Sequence, residues 1–189
     1  MIGWIVFGVI AVLVVALVAW FIGYYNKLVK QRNRVKNSWS QIDIQLKRRF
    51  DLIPNLVETT KGYAKHESGI FEEFAKARNV YAQASEKGDV AGMSQANNML
   101  SATLSRLIAV SEAYPELKAN THFAEMMKEL AETEDKIAYA RQFYNDVAMT
   151  YNNMREVFPG SIVANMFAFQ SAEFFKTDEA SRENVKVQF

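Results

Sequence analysis

The chain contains no cysteine. That excludes disulfides, thiol nucleophiles, acylation at a lipobox cysteine and thiolate metal sites. Its only histidines are His66 and His122, and neither completes the Glu-x-x-His pattern that a di-iron bundle needs, because Tyr63 and Ala119 stand three residues before them. The eight glycines are scattered and form neither G-x-x-x-x-G-K nor G-x-G-x-x-G, so no phosphate cradle is predicted. Alternating strand patterns are missing except at Val185, Val187 and Phe189. Most telling, residues 2–22 carry no charge at all.

At a rise of ~1.5 Å per helical residue that run is roughly 31 Å long, matching the ~30 Å hydrocarbon core of a bilayer. One transmembrane helix is therefore predicted. A cleavable signal peptide fits poorly: there is no basic start, the apolar run is too long, and Gly23-Tyr24-Tyr25 is not a small-x-small cleavage site. Trp4 at one end and Trp20, Tyr24 and Tyr25 at the other occupy the places of interfacial anchors. Lys27, Lys30, Arg32, Arg34 and Lys36 follow at once, and basic residues past a span stay on the cytoplasmic side. The expected topology is N-terminus outside, remainder inside.

The 22 basic and 21 acidic residues all follow Asn26 and leave enough chain for one soluble domain with its own core. They are unevenly placed. Residues 27–50 carry eight basic side chains against Asp43 alone, whereas residues 51–189 have 14 basic and 20 acidic. The basic stretch reads either as a topology signal or as a contact for anionic lipid. With a net charge of +1, no nucleic-acid partner is expected.

Beyond the span, Val35, Trp39, Ile42, Leu46, Phe50, Ile53 and Val57 recur by threes and fours. The membrane helix is thus expected to run on as an amphipathic helix, kinked or briefly interrupted at Pro54 and broken at Gly62. A second helix is read from Ile70 to Ala84, a turn at Lys87-Gly88-Asp89, and a third helix from Met93 to Tyr114, ended by Pro115. The fourth has a heptad-like seam: Phe123, Met126, Leu130, Thr133, Ile137, Ala140, Tyr144, Val147, Tyr151, Met154, Phe158. Thr121 is the expected cap of its start and Pro159-Gly160 its end. The Phe-rich segment that follows (Phe167, Phe169, Phe174, Phe175) is expected to be helical and to pack on the bundle or touch lipid. The fold predicted is all-α: an N-terminal transmembrane helix (residues 1–25) running into a cytoplasmic antiparallel four-helix bundle (26–175), then a flexible tail (176–189).

Longer motifs point further. Tyr25-Asn26-Lys27-Leu28-Val29, Arg32-Asn33, the run WSQIDIQLKRRFDLIPNLV at 39–57, Lys61-Gly62-Tyr63-Ala64 and His66-Glu67 together resemble the LemA family. So do Leu104-Ser105-Arg106-Leu107, Val110 through Pro115, Leu117 through Asn120, Thr133 through Ala138, Ala140-Arg141, Tyr144-Asn145-Asp146 and Phe158-Pro159. The resemblance implies a bacterial single-pass inner-membrane protein with a helical cytoplasmic domain and no assigned reaction. Some relatives are tied to building membrane compartments and family genes neighbour membrane proteases, which brings scaffold and protease-adaptor roles into view. An unrelated sensor kinase shares the family's name, but this chain lacks a nucleotide loop and room for a kinase core.

Candidate sites are few. His122, Glu125 and Glu129 share a helical face as a weak metal possibility, and Glu134-Asp135 diverge by about 100° on a helix, so they do not make a facing carboxylate pair. No enzyme activity, metal or cofactor is expected. Arg106, Glu112, Tyr114, Lys118 and Asn120 straddle the turn between the third and fourth helices as a structural network or docking surface. Asn55 is placed to repair hydrogen bonds broken by Pro54. Val187 and Phe189 end the chain in a form that adds as a strand to a groove, or docks on the protein itself. The function expected is a self-associating scaffold or adaptor at the membrane. The alternative is a membrane-remodelling or anionic-lipid-sensing protein that uses the basic stretch and the Phe-rich segment.

Overall fold

A computed structural model describes residues 1–63 and 68–176. His66, Val187, Phe189 and the expected tail from residue 177 lie outside the described residues. The described chain is all-helical: α1 (Ile2–Lys61), α2 (Ser68–Lys87), α3 (Val90–Ala113), α4 (Pro115–Lys118), α5 (Thr121–Glu156) and α6 (Gly160–Met166), with no strand among the described residues.

Local chemistry explains most boundaries. Pro54 lies inside α1, and the helix continues through it to Lys61. Gly88 closes the predicted turn with φ of 66°, a left-handed conformation that costs glycine little. Asp89 then caps α3, its Oδ1 accepting from the Gly92 N–H at 2.9 Å. Pro115 ends α3 as expected but also starts the one-turn α4, since proline is well placed in a helix's first turn. The cap of α5 is Asn120 rather than Thr121: its Oδ1 accepts from the Phe123 N–H at 3.1 Å. The helix reading of the Phe-rich segment holds only as far as Met166, and residues 169–176 are non-helical.

The chain forms two compact units. The first comprises Met1–Trp39 and Phe143–Ala172. Its core includes Leu28, Val35, Tyr144, Val147, Tyr151, Val163, Ala164 and Phe169, all buried. Trp39 meets Tyr144 edge-on at 5.4 Å. Every one of residues 1–20 is exposed. Within α1 this apolar stretch is long enough to cross a membrane, and it is the one such helix found among the described residues.

Among the described residues the second unit comprises Ser40–Gln142 and residues 173–176. Buried Ile42, Leu46, Phe50, Ile53 and Leu56 give α1 an apolar face, and α2 adds Ile70, Phe74, Ala77 and Tyr81. Phe50 stacks on Tyr81 with centroids 4.3 Å apart and planes 12° from parallel. Each fully buried large apolar side chain contributes about 1.5–3 kcal/mol. Buried hydroxyls are satisfied within their own helices: Thr60 donates to the Leu56 carbonyl at 2.6 Å and Thr133 to that of Glu129 at 2.7 Å.

Candidate functional site

In the first unit the C-terminal end of the predicted span is gripped by the end of α5 and the residues that follow it. The Tyr24 hydroxyl donates to the Met154 carbonyl at 2.9 Å, and Gly160 lies so close to the Tyr24 ring that a Cβ there would overlap it. Tyr25 packs against Phe167 at 4.6 Å and Phe169 at 5.7 Å, while Phe21 meets Phe167 at 5.9 Å. The Arg32 guanidinium lies over the Phe169 ring at 5.2 Å, a cation–π contact.

Two α5 side chains hold the strap beyond α6. The Tyr151 hydroxyl donates to the Gln170 carbonyl at 2.8 Å. Asn152 pairs with both backbone groups of Ala172, donating from Nδ2 at 2.9 Å and accepting at Oδ1 at 2.8 Å. Burial pushes the Tyr151 pKa up, against the charges of Arg32 and Arg155. Of the predicted interfacial aromatics, Tyr24 and Tyr25 are half-buried in this collar, whereas Trp4 and Trp20 are exposed. Lys27, Lys30, Arg32, Arg34 and Lys36 are all exposed.

The second unit centres on a residue that sequence reasoning missed. Arg49 is only 3% exposed, yet it is charged. Its guanidinium donates to Asn97 Oδ1 at 2.5 Å and Ser101 Oγ at 3.1 Å on α3, and forms an ion pair with Glu134 on α5. Burial lowers its pKa, and the Glu134 carboxylate opposes that shift. A detectable signal existed: Arg49 continues the buried spacing Ile42, Leu46, Ile53, Leu56 by threes and fours.

Beside the Phe50–Tyr81 stack lies an open groove of about 500 Å³ lined by Asp43, Lys47, Asp51, Arg78, Ser85 and Glu86, among others. Burial, followed by the charge of Asp43, raises the Tyr81 pKa to about 12. Charges of both signs alternate around the groove, so it favours no single ligand charge.

The polar group read across the third and fourth helices divides in the structure. Arg106 pairs with Glu73 on α2, Asn120 caps α5 and donates to the Tyr63 hydroxyl at 3.2 Å, and Glu112 and Lys118 point to solvent with Tyr114 half-buried. Asn55 is exposed, and its carbonyl accepts from Thr59 at 2.9 Å. The weak metal possibility also separates: His122 lies 3.8 Å from Glu125, both largely exposed, while Glu129 accepts from Arg48 at 2.5 Å. Among the described residues no group of three acidic or imidazole side chains is placed to hold a metal.

The helical pattern and the motifs at 39–57 and 104–120 meet in one comparison: the profile of the LemA family matches residues 38–189. The chain belongs to the LemA family. Individual relatives agree over about two thirds to three quarters of their own length. Magnetosome protein MamQ 2 of Paramagnetospirillum magneticum is 30% identical over 91% of this chain and 72% of its own length. MamQ of Magnetospirillum gryphiswaldense is 26% identical over 85% of this chain and 68% of its own length. Protein LemA of Metamycoplasma hominis is 22% identical over 87% and 74% respectively. The family match begins at Ser38, so residues 2–22 lie before it.

Proposed function

We propose that this LemA family chain is a non-enzymatic scaffold or adaptor, anchored once in the bacterial inner membrane with its N-terminus outside. Its cytoplasmic part is an antiparallel bundle built on α1, α2, α3 and α5 that self-associates or docks proteins, a membrane protease among the candidates. Arg49 carries this reading. A buried charge is expensive, and here it is spent on binding α1 to α3 and α5 rather than on presenting a reactive group to a cleft. Relatives named for the magnetosome are named for a cellular structure and not for a reaction, which supports the same view. Crosslinking in native membranes followed by mass spectrometry is the test. Crosslinks between copies, or to a reproducible partner, are expected; a protein that stays monomeric and uncrosslinked at every concentration overturns the proposal.

A second reading, lipid sensing or membrane remodelling, is favoured by the exposed row Lys27, Lys30, Arg32, Arg34 and Lys36 immediately after the span. Such residues attract anionic lipid by ~1 kcal/mol each near the surface. It predicts that the full chain extracted in mild detergent carries phosphatidylglycerol in a salt-sensitive manner. Replacing Lys30, Arg32, Arg34 and Lys36 by Gln should remove that enrichment, and unchanged enrichment sinks this reading.

A further inference from the structure

The Phe158–Pro159 corner and α6, just beyond α5, form an uncharged surface. No ionisable side chain occurs from residue 157 to residue 172, and Glu156 and Glu173 bracket the stretch. Its apolar side chains divide. Val163, Ala164 and Phe169 are buried, whereas Val157 is 61% exposed, Phe158 75%, Ile162 50%, Met166 64% and Phe167 49%. Ile162 and Met166 are four apart on α6 and share a face. Five large apolar side chains this close together are more than the scattered exposed apolar residues a soluble surface tolerates.

Its position in the first unit identifies what covers it. Phe167 touches Phe21, which belongs to the uncharged run of residues 2–22, and Tyr25, four residues further along α1. Those four residues span about 6 Å along the helix axis. Tyr24 fixes the same level by bonding the Met154 carbonyl. If residues 2–22 are in hydrocarbon, the corner stands where acyl chains give way to headgroups, a layer into which interfacial segments insert by ~5–10 Å. Lys27 and Lys30 are exposed on the next turns of α1, at the depth of the phosphates.

We propose that Val157, Phe158, Ile162, Met166 and Phe167 form a second membrane contact, an apolar wedge seated in the inner leaflet beside the span. The occupant of this surface is lipid. The inference rests on the reading of residues 2–22 as a span, and it assigns a membrane role to the α5–α6 corner that a topology signal alone does not provide. Phe169, by contrast, serves as packing beneath the wedge.

The absence of cysteine makes the test clean. Single variants Phe158→Cys, Ile162→Cys and Met166→Cys of the full chain, each at an exposed position, are spin-labelled. They are reconstituted in vesicles of phosphatidylcholine and phosphatidylglycerol, and collisions with dissolved oxygen and with a water-soluble nickel chelate are compared. Val12→Cys reports on the span and Tyr139→Cys, 77% exposed on α5, on water. The expected result is a several-fold preference for oxygen over the chelate at 158, 162 and 166 relative to 139, approaching that at 12. Equal chelate access at these positions and at 139 overturns the wedge while leaving the span intact. Shielding from both reagents means that a second copy or another protein covers the surface, and also overturns it. A water-like label at 12 overturns the span reading itself, and the wedge with it.

Discussion

The hydroxyl of Tyr24 and the carbonyl of Met154, 130 residues apart in sequence, are joined by a 2.9 Å hydrogen bond, and Gly160 fits against the same ring. Because a Cβ at Gly160 would overlap the phenol, Gly160→Ala should destabilise the first unit by about 1–3 kcal/mol through overpacking. Tyr24→Phe loses only the bond and should cost about 0.5–1.5 kcal/mol. Thermal unfolding in detergent followed by circular dichroism checks the order; an alanine variant as stable as the parent contradicts the close packing.

Arg49→Met should be among the most damaging single changes, since it strands the Glu134 carboxylate and Asn97 without their cation. Removing one partner of a fully buried pair costs about 3–5 kcal/mol; the Glu134 side chain is 39% exposed, so water offsets part of that loss here. The double variant Arg49→Met with Glu134→Leu should recover part of the loss. Arg49→Lys should recover little, because an ammonium lacks the planar fork that reaches Asn97 and Ser101 together. The thermal midpoints of the four proteins test this.

The Tyr81 phenol, raised to about 12 by burial and by Asp43, links stability to alkaline pH. Its ordinary value is 10.0, so the contribution is fully present below pH 10 and is lost as pH climbs toward 12. Tyrosinate absorption during a pH titration should show a late phase whose amplitude falls in Tyr81→Phe, Tyr151 supplying the remainder. Asp43→Asn should move that phase down only modestly, because burial is the larger cause.

Asn152→Ala should free the strap that follows α6, since both backbone groups of Ala172 lose their partner. Chymotrypsin cleavage after Phe169 or Phe174 should accelerate several-fold, with Asn152→Asp intermediate because it keeps the acceptor but not the donor. Cleavage at the parental rate in both variants would show that Tyr151 alone holds the segment.

Much of this was legible because helical periodicity reports burial directly. The seam on α5 from Phe123 to Tyr151 is buried or half-buried at every predicted position. It fails at Phe158, which is 75% exposed because α5 stops at Glu156 and the chain turns away. Charge misled the reading elsewhere. Lys47, Arg48 and Arg49 look alike in sequence, yet Arg48 reaches outward to Glu129 while Arg49 faces the core. An apolar-only count passes over a buried cation whose partners lie on helices distant in sequence. In the group around Arg106 and Asn120 the partners themselves were not legible, for a related reason. Neighbours in sequence at a turn point to different places: Arg106 pairs with Glu73 on α2, whereas Asn120 caps α5 and meets Tyr63. Asn152 gave no signal, because its partner is backbone.

That two-point clasp between Asn152 and Ala172 has a consequence for how the family can vary. A side-chain amide that engages one peptide from both sides fixes how many residues lie between, here a separation of 20. Substitutions inside the interval leave the clasp in place wherever side chains face outward, whereas adding or deleting one residue shifts a different peptide into the clasp and moves the buried Phe169. Among relatives that keep an asparagine at this place, length in this interval should be the conserved quantity, more so than the residues themselves.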